Sequence, residues 1–169
     1  MSKFAVFNIS GEEFGIELGR IAEIVKFQKS TPLPKVPAFI SGVINIRGDV
    51  IPLVDLRKRL GVEPSHIQGR IIITKIHEEK IGLLVDAVKE IVSIEKESIA
   101  STPSFFKGLK SEYIMGIGKV ADRLIVILNL DNLLSSEEMI LLGEHKETLR
   151  FKDDKENPSQ AEEEKDKDV

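Results

Sequence analysis

The chain has no cysteine and no tryptophan, a single tyrosine, Tyr113, and no apolar run near the roughly 18 to 20 residues that a bilayer-spanning helix needs. Without cysteine there are no disulfides and no thiolate metal sites. The opening MSKFAVFNISGEEFG lacks the charged-then-apolar layout of a secretion signal, so the cytosol is the expected compartment and membrane proximity would come only through a partner. Charge of one sign is missing from most of the chain as well. Of 24 basic and 28 acidic residues, four lysines and eight acids fall within residues 151–169, which leaves 20 of each before them. That final stretch, FKDDKENPSQAEEEKDKDV, has almost nothing to bury against the entropy of ordering it, and is expected to be a disordered charged tail.

The signatures of catalysis are lacking too. His66, His77 and His145 have no carboxylate or second histidine at ligand spacing, so no metal is expected. Ser30, Ser41, Ser104 and Ser135 lie outside any G-x-S-x-G elbow, and GIGK at 116–119 is too short for a phosphate loop. Glu12 and Glu13 are adjacent on a strand pattern and point to opposite faces, which reads as a solvated turn rather than an acid and base pair. Neither an enzyme nor a cofactor is indicated. Small β-barrels often bind single-stranded nucleic acid, and that is the alternative class. It requires a basic groove with stacking aromatics, against a neutral body whose eight phenylalanines mostly suit a core or a turn.

What is present is a repeat. Residues 4–25, FAVFNISGEEFGIELGRIAEIV, align without gaps on residues 71–92, IIITKIHEEKIGLLVDAVKEIV, with identities that include Gly15/Gly82 and Glu23/Glu90. At a slightly longer offset GVINIRGDVIPLVDLRKRL (42–60) matches GIGKVADRLIVILNLDNLL (116–134). Two copies are too few for a solenoid. Each unit opens with a β-hairpin pattern and ends with a second hairpin, its turns at Arg47-Gly48-Asp49 and Ala121-Asp122-Arg123, followed by the helix-like DLRKRL and NLDNLL. Gly15 and Gly82 sit within second strands, where glycine marks a bulge or a sharp bend, and about five strands per unit predict a closed barrel. Proline-bearing connections, STPLPKVPAF and STPSFF, fall in equivalent places. Ser135 with Glu138 forms a capping-box pattern ahead of Met139–Leu142, which predicts a terminal helix packed on a barrel.

Comparing the copies locates a candidate surface. Arg47-Gly48 is matched by Ala121-Asp122, so the fold alone does not demand the arginine, whereas Gly48 suits a tight turn with positive φ. An exposed guanidinium can pair with a carboxylate and still present a planar face to a partner. Glu23 is the nearest candidate carboxylate, although Glu90 in the other copy allows a purely structural role for it.

The runs EEFGIELGRIAEIV, PAFISGVINIRGDVIPLVDLRKRLG, IGLLVDAVKEIVSI and FFKGLKSEYIMGIGKVADRLIVILNLDNLLSSEE resemble, in order and spacing, the CheW family of bacterial chemotaxis coupling proteins, over residues 3 to about 143. The resemblance implies a mainly β fold of two SH3-like five-stranded barrels around a shared core, with a C-terminal helix. It implies one CheW-like domain over residues 1–150, its barrels at roughly 10–70 and 71–130 with exchange at the ends, and the charged tail at 151–169. The implied function is a non-catalytic scaffold that binds the regulatory domain of the histidine kinase CheA and the cytoplasmic tip of methyl-accepting chemoreceptors in membrane-associated arrays. Receptor-facing residues implied by the match are Glu23, Arg47 and Gly48, with Ile21, Ile71 and Ile91 as groove residues; kinase contacts are not assigned.

Overall fold

In a computed structural model of the 169-residue chain, the described residues are 1–63, 67–101, 105, 106 and 108–156, with the side chains of 105, 106 and 150–156 excepted. The chain opens with the hairpin β1 (Ser2–Ile9) and β2 (Glu12–Glu17), joined by a two-residue turn in which Ser10 and Gly11 both have positive φ. There follow β3 (Ile21–Lys26), β4 (Ile40–Ile46), β5 (Asp49–Asp55), the short helix α1 (Leu56–Leu60), β6 (Arg70–Ile76), β7 (Glu79–Val85) and β8 (Ala87–Ile94). A minor ribbon of β9 (Phe105–Phe106) and β10 (Leu109–Lys110) precedes β11 (Ile114–Val120), β12 (Arg123–Leu128) and the helix α2 (Ser136–Glu156).

Strand pairing shows how the duplication is used. One five-stranded sheet has the order β11-β12-β2-β1-β8 and the other β3-β6-β7-β5-β4. Matching β1 to β6, β2 to β7, β3 to β8, β4 to β11 and β5 to β12 converts one order into the other read backwards. Each sequence unit therefore contributes its first hairpin to the barrel built by the other unit's last three strands. The second barrel is continuous from Ile21 to Val85, while the first combines residues 2–17 with 87–128, so the expected division at 10–70 and 71–130 cuts across both. Adjacent strands in a unit stay antiparallel, and each barrel is completed by one parallel contact, β12 with β2 and β5 with β7.

Those parallel contacts explain Gly15 and Gly82. Neither sits at a register shift; they pair directly with Ile127 and Leu53. A Cβ on Gly15 would lie 3.1 Å from Ile127 Cδ1 and 3.2 Å from Ile125 Cγ2, and one on Gly82 would lie 3.2 Å from both Ile71 Cγ2 and Leu53 Cδ1. The glycines make room for branched side chains inside a narrow barrel, and the expectation of a bulge at these positions is corrected.

Because β1 and β6 are covered on both faces, their alternation is apolar on each side. Phe4 and Val6 fill the first barrel with Ile125 and Ile127, and Ile71 and Ile73 fill the second with Ile51 and Leu53. The opposite faces, Phe7, Ile9, Ile72 and Ile76 among them, meet in a third and larger cluster between the barrels. Two polar ties cross the same junction. Arg57 donates to Asp55 Oδ1 at 3.0 Å and to Asp86 Oδ1 at 3.3 Å, and Asp86 Oδ2 accepts from the Ser10 amide at 2.7 Å. Arg20 donates to the Lys75 carbonyl at 2.8 Å and to Asp131 at 2.7 Å.

The helices end where local chemistry dictates. Asp55 caps α1 by accepting from the Arg57 amide, and Gly61 closes it in the left-handed conformation. NLDNLL yields only a 3-10 turn, Leu130–Asn132. Ser135 and Glu138 form the reciprocal capping box of α2, whose Leu142 and Met139 pack into the shared cluster. Arg59 of α1 pins that helix start, donating to Glu138 Oε1 at 3.3 Å with its guanidinium 4.2 Å from the Phe39 ring centre. Helix α2 runs to Glu156, so the first six residues of the expected tail continue a helix; residues 157–169 lie outside the described residues.

Candidate partner-binding site at the barrel mouth

The tip of the β4–β5 hairpin is a two-residue turn, shorter than the three residues read from sequence, because Asp49 already pairs with Ile46 in the ladder. Arg47 has φ 49° and Gly48 φ 93°, the paired positive values that match the right-handed twist of flanking strands. Asn45 Oδ1 accepts from the Gly48 amide at 2.9 Å. From this tip the Arg47 guanidinium donates to Glu23 Oε2 while 73% of its side chain remains accessible, against 29% for Glu23. The hydrogen bond to Glu23, followed by that carboxylate's charge, raises the Arg47 pKa above its ordinary value; a guanidinium is in any case always charged. The carboxylate and the exposed planar fork form a compact charged feature.

Glu23 reaches the tip through a register shift in the β3–β6 ladder between Ile21 and Glu23. Such an irregularity re-aims the next side chain. The same irregularity recurs in the other barrel, where the β1–β8 register shifts between the partners of Val88 and Glu90. Glu90 then meets Arg123 Nη2, and Arg123 also donates to Glu13 Oε1 at 2.9 Å. The arginine missing from the second copy's turn therefore reappears two residues later, at the first position of β12.

Overlaying the copies adds a second pair that the sequence reading missed. Asp49 corresponds to Arg123 and Lys80 to Glu13. Lys80 lies 3.4 Å from Asp49 in one barrel mouth, and Arg123 holds Glu13 in the other, so the same ion pair is kept with its polarity reversed. The compensating swap was visible in the alignment as two opposite charge changes. Glu13, expected on a solvated turn, lies in the mouth of the first barrel with its side chain 19% accessible, bonded by Arg123 and approached by Lys89 at 3.4 Å. Arg123 holds the Glu13 carboxyl below the usual carboxylate range.

The residues implied by resemblance do not all converge. Arg47, Gly48 and Glu23 share the second barrel's mouth, and Ile21 on the same strand packs partly into the cluster between barrels. Ile91 is 58% accessible but stands on β8 of the first barrel, where it corresponds to the exposed Ile24 of the second. Ile71 is fully buried, pairing with Val25 and Leu84 and filling the second barrel's interior. A groove role for Ile71 is corrected: its side chain reaches no surface. His77 approaches the Asp131 carbonyl, no cluster of potential metal ligands occurs among the described residues, and His66 and Ser104 lie outside them.

Residues 3–138 match the CheW-like domain. The chain belongs to the CheW-like family. It is 32% identical over 142 residues to "Chemotaxis protein CheW" of Klebsiella aerogenes, spanning 83% of this chain and 86% of that protein. It is also 36% identical over 134 residues to "Probable chemotaxis protein CheW" of Rhizobium etli, spanning 78% of this chain and 86% of that protein. Among solved structures, the scaffolding protein TtCheW from Thermoanaerobacter tengcongensis superposes with a TM-score of 0.76 at 36% identity, covering 81% of this chain and 90% of that one. This CheW-like chain is thus a chemotaxis scaffold by family, with two SH3-like barrels as expected. No helix among the described residues is long and apolar enough to cross a membrane.

Proposed function

We propose that this CheW-like protein is a non-catalytic coupler in the cytoplasm that links the regulatory domain of the kinase CheA to the cytoplasmic tips of chemoreceptors, and is thereby recruited to receptor arrays at the membrane. The observation that carries the receptor arm is the Arg47–Glu23 pair: a cation held on an open hairpin tip, 73% accessible, with donors left over for a partner's carboxylate or carbonyl. Gly48 sets the turn, and Ile21 on the second barrel and Ile91 on the first supply apolar surface. Among the described residues, Arg20, Arg47, Arg57, Arg59 and Arg123 each meet a carboxylate, which does not favour the alternative of a basic groove for nucleic acid.

A titration of the purified chain against a CheA regulatory domain, and separately against a receptor cytoplasmic fragment, tests this reading. Both should bind. Arg47→Ala should weaken the receptor arm by about tenfold, as a hot-spot arginine does, with a nearly unchanged thermal midpoint because exposed ion pairs add little to folding. Binding to neither partner, or a large midpoint loss with normal receptor affinity, would overturn it.

A further inference from the structure

We propose that Asn45 is a positioning residue that fixes the hairpin tip and so aims Arg47. The proposal rests on the reading of Arg47 as the partner-facing cation and extends it to the residue that presents it. In a two-residue hairpin turn the amide of the second turn residue has no ladder partner, and a donor that meets only water does nothing to hold the turn to one type. Here Asn45 Oδ1 supplies that partner at 2.9 Å. Little else braces the turn: a Cβ built on Gly48 would touch nothing within 4 Å. Arg47 itself sits at φ 49°, a region that side chains other than glycine enter at some cost. A flip of the turn would relieve that cost and carry the guanidinium away from Glu23.

The other barrel serves as an internal control. Its arginine, Arg123, is not in the turn but in β12, opposite Val120 in the antiparallel ladder, so strand pairing aims it. The position matching Asn45 there is Lys119, which has no acceptor to offer. The amide acceptor is found in the copy whose arginine lies in the turn, and is replaced in the copy whose strand does the aiming.

The test uses the full chain and the variants Asn45→Ala, Asn45→Asp, Arg47→Ala and Asn45→Ala with Arg47→Ala. Four properties are read: hydrogen exchange of the Gly48 amide, the side-chain ¹⁵N signal of Arg47, affinity for the receptor cytoplasmic fragment, and the thermal midpoint. Asn45→Ala should speed Gly48 exchange by about tenfold, the equivalent of one modest hydrogen bond, and shift the Arg47 signal toward that of a free guanidinium. It should weaken receptor binding by about threefold to tenfold with an unmoved thermal midpoint. Asn45→Asp, which keeps the acceptor, should restore Gly48 protection, and the double variant should bind no worse than Arg47→Ala alone. Unchanged Gly48 exchange and Arg47 signal in Asn45→Ala would overturn the proposal, as would an additive loss in the double variant or a lowered midpoint. If Arg47→Ala binds the receptor fragment normally, the receptor site is misplaced, while the exchange and ¹⁵N readings still decide whether Asn45 aims the arginine.

Discussion

Single residues in this protein are best read against their repeat mates. Gly48 was legible from sequence because a tight turn has few chemical solutions. Ile71 was not, because β6 is buried on both faces and its pattern of four consecutive buried residues does not distinguish a groove side chain from a barrel interior one. Glu13 was misread for a related reason: polarity at a strand end suggests solvent, whereas a barrel mouth can hold charges inward if they are paired. Its pairing has a pH consequence. Arg123 depresses the folded-state pKa of Glu13 below the value it takes in the unfolded chain. The native state therefore binds fewer protons than the unfolded state in the interval between, and the pair's stabilisation is complete above the ordinary glutamate range and is lost as pH falls through the depressed value. Glu13→Gln should lower the thermal midpoint at neutral pH, with the deficit shrinking in acid. A deficit independent of pH would show that Glu13 acts through packing alone.

At the level of elements, the hairpins, the capping box and the terminal helix follow from local pattern, while the choice of strands that close each sheet does not. Nothing in the two runs FGIEL and IGLLV says that each lies parallel to a strand outside its own hairpin, FGIEL beside β12 from the far end of the chain and IGLLV beside the earlier β5, since such pairing depends on partners beyond the local pattern. Gly15 and Gly82 are the local trace of that closure. Their small size permits the parallel strand to approach with isoleucine and leucine side chains directly over them. Gly15→Val should cost about 1 to 3 kcal/mol, the range for added volume in a tight core, because Ile125 and Ile127 have to shift. Chemical denaturation measures the loss. A neutral effect would mean that the first barrel is loose enough to absorb the branched side chain. The helical extension to Glu156 escaped the sequence reading because charged, alanine-poor stretches such as KDDKE carry little apolar periodicity, yet a helix already nucleated and capped at Ser135 propagates through them at small cost.

For the molecule as a whole, the exchange of hairpins decides whether two barrels mean two folding units. The second barrel keeps all five strands within Ile21–Val85 and by connectivity alone could stand by itself. Packing argues otherwise. Among the described residues the cluster between barrels is larger than either barrel interior, and Phe7, Ile9, Phe14 and Ile16 of the first hairpin cover Val54, Ile72 and Leu83 of the second barrel within it. Burying a side chain of this kind contributes about 1.5 to 3 kcal/mol, so exposing several of them at once removes an amount comparable with a domain's usual net stability of about 5 to 15 kcal/mol. Deleting residues 1–17 should therefore unfold the second barrel although none of its strands is removed, and the intact chain should melt in one transition. Amide exchange in β6 and β7 of the truncated chain decides the matter. Loss of protection there would make the inter-barrel cluster the cooperative unit, and a partner docking at the Arg47 tip would then engage a surface whose geometry is set by both barrels. Retained protection would make the second barrel an independent module carrying that tip.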